Sequence, residues 1–338
     1  MCLMSRETRV TVLGAGSWGS TVASVAARRA STLIWARRPE LAEEINRGHT
    51  NSEYLAGESL HPSLKATSSL EEAAEHADVL VVGVPSHGFR SVLEAASPRL
   101  RPWIPIVSLA KGLEQGTRKR MSQVIADVLP GHPAGVLTGP NLAREVLAGY
   151  AAAAVIAMPD VTVAEALQAI FRTSIFRVYT SQDVVGCEVA AATKNVLAIA
   201  AGMAEGLGTG DNTKAMVITR SLAELTRLGV AMGGDPRTFA GLAGMGDVIA
   251  TCTSPLSRNR YVGVELARGR KLQDILAGMK MVAEGVKTCS VVLELAFEHG
   301  VEMPIVAEVD AVLNHGRTPE EAYRGLQRIP PTSEHGIA

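Results

Sequence analysis

The feature that most constrains this chain is a glycine-rich turn with a strand signal before it and a helix signal behind it. Arg9 to Leu13 reads R-V-T-V-L, a β-branched apolar run, and Ser17 to Arg29 has helical spacing. Between them stands Gly14-Ala15-Gly16-Ser17-Trp18-Gly19, a G-x-G-x-x-G. In that setting the first glycine admits the tight turn and the second lets the backbone approach a pyrophosphate. The third lets the helix lie close on the strand. Unbonded N–H groups of the helix's first turn then face the phosphates. A ligand-free glycine turn is the plainer alternative, and the pattern of the next 140 or so residues argues against it.

The first half keeps alternating. Thr32–Ala36 reads as a strand and Pro39–Arg47 as a helix with proline in its first turn. Asp78–Val84 is apolar almost throughout, as a strand covered on both faces should be. Ile104–Leu109, Gly135–Thr138 and Ala151–Met158 continue the series. Such alternation predicts a parallel, doubly wound sheet with helices on both faces. After about Thr180 the chain turns rich in alanine, leucine and methionine at helical spacing, from Val184 to Met232 and in further segments to Arg324. The predicted fold class is therefore α/β, a Rossmann-like domain over residues 1–185, followed by an all-α domain over 186–329. Residues 330–338 read as a frayed tail.

Composition removes several function classes. The 338 residues carry 33 basic and 34 acidic side chains, a formal charge of −1, without the basic excess of a nucleic-acid protein. The four cysteines have no C-x-x-C spacing, so neither a disulfide framework nor a zinc site is expected. No His/Asp/Glu spacing suggests any metal. The start has no apolar signal region, and the longest apolar stretch, Val146 to Met158, falls short of the ~20 residues a spanning helix needs. A cytoplasmic protein without membrane insertion is expected, and the apolar helical half suggests a homodimer.

Several polar residues stand where polar residues are unexpected. The second strand ends in Ala36-Arg37-Arg38, with no carboxylate for a ribose 2′-hydroxyl but two guanidiniums for a 2′-phosphate. NADP is thus the expected cofactor, with NAD also usable. Lys111 follows a buried strand at the edge where open α/β sheets bind ligands. Lys194, with Asn195 beside it, interrupts an alanine-rich helix. Either the amine snorkels to water, or it is desolvated and serves as an acid and base. Asp247 and Thr251 are four apart, on one helical face, and Asp247 could equally be a helix cap. Ser257-Arg258-Asn259 is a polar cluster suited to a phosphate. His87, after the Asp78–Val84 run, is a weaker candidate proton carrier.

Taken in order, G-A-G-S-W-G, V-P-S-H-x-F-R, S-L-A-K-G, T-G-P-N-L-A, A-T-K-N-V, G-x-G-D-x-x-x-T, S-R-N and V-A-E-G resemble the NAD(P)-dependent glycerol-3-phosphate dehydrogenases, from about residue 9 to 325. The resemblance implies interconversion of dihydroxyacetone phosphate and sn-glycerol 3-phosphate, which supplies the phospholipid backbone. It implies that Lys194 exchanges the proton. Lys111, Gly139, Asn141, Lys194, Asp247, Thr251, Ser257, Arg258 and Asn259 would meet substrate. Gly14, Gly16, Ser17, Trp18, Gly19, Arg37, Arg38, Lys111, Ala143, Arg258, Val282 and Glu284 would meet cofactor. Asn141 stands where the family pattern has serine in G-P-S. Two other readings share the architecture: a β-hydroxyacid dehydrogenase or ketopantoate-type reductase, and a non-catalytic NADP sensor.

Overall fold

The computed structural model of the chain describes residues 7–279 and 282–328. The frayed tail expected from Pro330 onward, and Cys2, lie outside those residues. The described chain divides into two compact units. One holds the residues up to Ala110 together with Lys119–Val184, and the other holds Lys111–Arg118 together with the residues from Val185 on.

The first unit alternates strands and helices: β1 (Arg9–Leu13), α1 (Ser17–Ala26), β2 (Ser31–Trp35), α2 (Pro39–Gly48), β3 (Lys65–Thr67), α3 (Leu70–His76), β4 (Val79–Val82), α4 (Ser86–Ala96), β5 (Ile106–Ser108), α5 (Met121–Val128), β6 (Ala134–Thr138), α6 (Ala143–Leu147), β7 (Ala152–Ala157), α7 (Val161–Phe171) and β8 (Phe176–Ser181). Its sheet has the order β3-β2-β1-β4-β5-β6-β7-β8. The first six strands run parallel. Contrary to an all-parallel expectation, β7 lies antiparallel beside β6, and β8 follows β7 in parallel. Strand β4 shows why the apolar run is continuous. Val79 and Val81 enter one core with Val10, Val12 and Ile34, while Leu80 and Val82 enter the opposite one with Phe89 and Leu93. Strands covered on both faces have no polar side to show. Strand order reverses between β2 and β4 on either side of β1, and at that switch point the carboxyl edge of such a sheet binds ligands.

The second unit is helical beyond the Lys111–Arg118 segment: α8 (Val184–Gly206), α9 (Asp211–Ala231), α10 (Pro236–Ala240), α11 (Asp247–Thr253), α12 (Arg258–Ala267), α13 (Leu272–Ala277), α14 (Glu284–Glu298), α15 (Pro304–Asn314) and α16 (Pro319–Gln327). A single π-helical turn, Leu242–Gly246, leads directly into α11. Helix α8 has the length and apolarity of a membrane span, yet nearly all of it is buried inside the protein. Val196, Leu197 and Ile199 pack with Leu225, Leu228, Val262, Val292, Val306 and Val309. A helix surrounded on all sides is apolar all round. It crosses α12 with the two backbones in contact. A Cβ on Gly202 would lie 2.1 Å from the Arg260 carbonyl oxygen, and one on Gly263 would lie 2.1 Å from that of Ile199. That crossing sets Asn195 of α8 against Asn259 of α12.

Candidate functional site

In the first unit the glycine turn has the geometry its spacing predicts. Gly14 has φ +111°, a conformation that suits glycine, and a Cβ there would strike the Gly83 backbone at 2.9 Å. A Cβ on Gly19 would lie 2.0 Å from the Gly14 carbonyl oxygen, whereas one on Gly16 would meet nothing within 4 Å. Two glycines are thus needed for packing, and the third leaves open space. Helix α1 starts after Gly16 with no side-chain cap, so the first-turn N–H groups of Ser17 and Trp18 are left to an outside acceptor. The Trp18 indole nitrogen is buried with no hydrogen-bond partner among the described residues. An uncapped helix start, open space at Gly16 and an orphaned donor fit a dinucleotide.

The other first-unit candidates lie on loops that come after strands. Arg37 and Arg38 are exposed after β2, and Arg38 stands at the N-cap position of α2 without a side-chain capping bond. Arg38 is ion-paired with Glu53, while Arg37 makes no ion pair among the described residues. Gly139 comes after β6 with φ +129°, and Ala143 opens α6. Both side-chain polar atoms of Asn141 are buried without a hydrogen-bond partner among the described residues. A buried, unsatisfied amide costs about 1–3 kcal/mol and points to a missing partner. His87 is exposed in the first turn of α4.

In the second unit three side chains converge on one carboxylate. Asp247 is buried on α11 and receives Lys194 Nζ at 2.7 Å on Oδ1 and Lys111 Nζ at 2.8 Å on Oδ2. Lys194 Nζ also donates to Thr251 Oγ1 at 2.6 Å, and that hydroxyl lies 3.2 Å from Asp247 Oδ1. The four-residue spacing on α11 puts both partners of Lys194 on one face. Lys194 is 4% exposed, so its amine does not snorkel to water. Asp247 is not a cap either, because Gly246 holds that position at the end of the π turn. Burial pulls the Lys194 amine down to about 8. The attraction of Asp247 opposes that fall, and the charge of Lys111 adds to it.

A chain of amides surrounds this cluster. Asn195 Nδ2 donates to the Lys111 carbonyl at 2.7 Å, and Asn195 Oδ1 accepts from Asn259 Nδ2 at 3.0 Å. Asn259 Oδ1 in turn accepts the Gly285 N–H at 3.0 Å. Asn195 thus ties the Lys111 backbone to α12 and α14. In the sequence it is visible only as the neighbour of Lys194. Ser257 caps α12, its side chain accepting from the Arg260 N–H. Arg258 Nη1 donates to the Val282 carbonyl at 2.7 Å, and Glu284 adds its charge nearby. Arg258, Val282 and Glu284, 24 and 26 positions apart in sequence, therefore form one corner. Among the described residues, no group of His, Cys, Asp or Glu could hold a metal.

Comparison with known proteins adds the family to this geometry. A family model for the NAD-dependent glycerol-3-phosphate dehydrogenase N-terminus matches residues 9–164, and the model for its C-terminus matches residues 183–324. The chain belongs to this family. It is 59% identical over 338 residues to a Mycobacterium avium protein named as an NAD(P)+ glycerol-3-phosphate dehydrogenase, covering 99% of both chains. The crystal structure of glycerol-3-phosphate dehydrogenase from Coxiella burnetii superposes with a TM-score of 0.91 at 33% identity, over 95% of this chain and 99% of that one. A ketopantoate reductase from Ralstonia eutropha reaches a TM-score of only 0.57 at 18% identity, over 94% of this chain and 100% of that one, a likeness of fold alone.

Proposed function

We propose that this chain interconverts dihydroxyacetone phosphate and sn-glycerol 3-phosphate with NADPH or NADH, and so supplies the glycerophosphate backbone of phospholipids. The observation that carries the reading is Asp247, a buried carboxylate gripped by Lys194 and Lys111 in a chain of this family. When bound, the dihydronicotinamide supplies a hydride for the C2 carbonyl. Lys194 as ammonium polarises the carbonyl oxygen and gives the alkoxide a proton. In the other direction its neutral form accepts the alcohol proton. An amine that ionises at about 8 serves both directions near neutral pH. Asp247 and Thr251 hold Nζ in place, and Lys111 contributes a second positive charge beside the developing oxyanion. Arg258, Asn259 and Ser257 are assigned to the substrate phosphate, where guanidinium and amide donors suit a dianion. Gly139 and Asn141 are assigned to the remaining substrate contacts. The helix start at Ser17 and Trp18 holds the cofactor pyrophosphate, and Arg37 with Arg38 a 2′-phosphate. Ala143, Val282 and Glu284 complete the cofactor assignment.

The test is oxidation of NADPH and NADH, side by side, with dihydroxyacetone phosphate, unphosphorylated dihydroxyacetone and ketopantoate. Turnover should depend on the phosphorylated ketone. Preference for ketopantoate would move the chain to the reductase reading. Cofactor binding without turnover on any carbonyl would favour a sensor. We further propose a cytoplasmic homodimer, for which sedimentation of the purified chain is the measurement.

A further inference from the structure

Strand β2 ends without the carboxylate that dinucleotide folds use for a ribose 2′-hydroxyl, but the loop after α2 brings one to the same place. Glu53 is ion-paired with Arg38. Its loop is fixed from two sides. Asn51 is fully buried, and its Nδ2 donates to the Ala15 carbonyl of the glycine turn and to Ser20 Oγ, both at 2.9 Å. Its Oδ1 and backbone carbonyl accept from the N–H groups of Tyr54 at 3.3 Å and Leu55 at 2.8 Å. On the other side Glu44 of α2 accepts from the Ser52 N–H at 2.7 Å and from Thr50 Oγ1 at 2.9 Å. These bonds hold Glu44 below the usual carboxylate range, despite the opposing effect of burial. A casual surface pair has no such scaffold. Residues 50–54 are bolted to the phosphate-binding turn, with Glu53 aimed at Arg38.

We propose that Glu53 sets the balance between the two cofactors. This rests on the reading of Arg37 and Arg38 as the seat of a 2′-phosphate. The Glu53 carboxylate occupies Arg38, and a 2′-phosphate has to displace it and tolerate its charge. A 2′-hydroxyl demands neither, and it can donate a hydrogen bond to the carboxylate. Glu53 therefore weakens NADPH selectively and keeps NADH usable. Exposed ion pairs are worth up to about a fivefold change in an equilibrium, which bounds the effect.

The experiment is binding, not turnover: dissociation constants of NADPH and NADH from tryptophan fluorescence, for the wild-type chain, Glu53→Gln, Arg38→Ala and the double variant. Glu53→Gln should tighten NADPH about three- to fivefold and leave NADH unchanged or weaker. Arg38→Ala should weaken NADPH about tenfold or more relative to NADH. Adding Glu53→Gln to it should tighten NADPH less than it does in the wild-type background, because only the carboxylate's charge and no longer its hold on Arg38 is then removed. Equal tightening of both cofactors in Glu53→Gln would overturn the proposal, since a general field acts on the shared pyrophosphate. If Arg38→Ala shifts the NADPH-to-NADH ratio and Glu53→Gln does not, the role of Glu53 falls while the arginine seat stands. If neither shifts it, both fall.

Discussion

Lys194 shows what a single residue reveals in sequence and what it hides. A lysine in an alanine-rich helix stands out at once. Its partner Asp247, 53 positions on, and the second lysine on that carboxylate, 136 positions before it, are joined only by tertiary packing. The amine's fall to about 8 depends on that packing and sets a pH profile. Oxidation of glycerol 3-phosphate, which needs the neutral amine, should rise as pH passes through about 8. Reduction of the ketone, which needs the ammonium, should decline over the same range. Lys194→Met keeps the apolar stem and removes the proton, so turnover should drop by about 100-fold or more. NADPH affinity should barely change. Steady-state rates across pH decide this, and near-normal turnover in the methionine variant would remove Lys194 from the chemistry. Arg258 belongs to the same scale. Arg258→Ala should raise KM for dihydroxyacetone phosphate while affecting the unphosphorylated ketone far less. A proportionate loss on both would move Arg258 from the substrate phosphate to the cofactor.

Elements were legible where their period was strong. The β1-to-α1 unit, the buried run of β4 and the long helices of the second half are all readable from spacing alone. Strand β3, three residues long, is too short for any period, and β8 alternates buried Phe176 and Val178 with exposed Arg177 and Tyr179 on the border of the helical half. The reversal at β7 was not legible, because strand direction is not written in composition. In the connection leading to β7, α6 packs on α1 and Val146 enters the core that α1 lines. The π turn before Asp247 was equally hidden, although its glycines were plain. Such turns are often found at functional sites. Here Gly244 lies against the backbone of Phe239, and a Cβ would sit 2.2 Å from that residue's carbonyl oxygen. Gly244→Ala therefore forces a backbone shift just before Asp247. Stability should fall by about 2 kcal/mol or more, and turnover should fall further than unfolding alone explains. Urea unfolding and kcat on the same preparation test it. Wild-type values for both would mean that the turn adapts without moving the carboxylate.

For the whole molecule, the division into a doubly wound half and a helical half was legible from the change of period. The excursion of Lys111–Arg118 into the second unit was not. Its reasons are tertiary: Leu113 joins the helical core, Lys111 pairs with Asp247 and Arg118 pairs with Glu294, and none of these partnerships is written in the loop's own sequence. The stability of the helical half holds a similar surprise. Glu224 reads in A-E-L-T-R-L as an ordinary surface charge of α9, yet it is 2% exposed. Its carboxyl oxygens accept the N–H groups of Ile305 at 2.8 Å and Val306 at 3.3 Å, at the start of α15. Burial pushes its pKa up to about 7, more than those two bonds and the charges of Arg227 and Arg220 pull it down. In the unfolded chain the same group ionises near the ordinary glutamate value. Between the two values the folded chain holds a proton that the unfolded chain has released. Its contribution to stability is therefore complete below the unfolded value and is lost as pH climbs through about 7. With about 1.4 kcal/mol for each unit of difference, the loss is on the order of 3 kcal/mol. Glu224→Gln cannot ionise and still offers an acceptor to α15. Urea midpoints from about pH 5 to 8 should fall more steeply for the wild-type chain than for the variant. Parallel curves would show that Glu224 is already ionised in the fold, its charge carried by the two N–H groups at the start of α15.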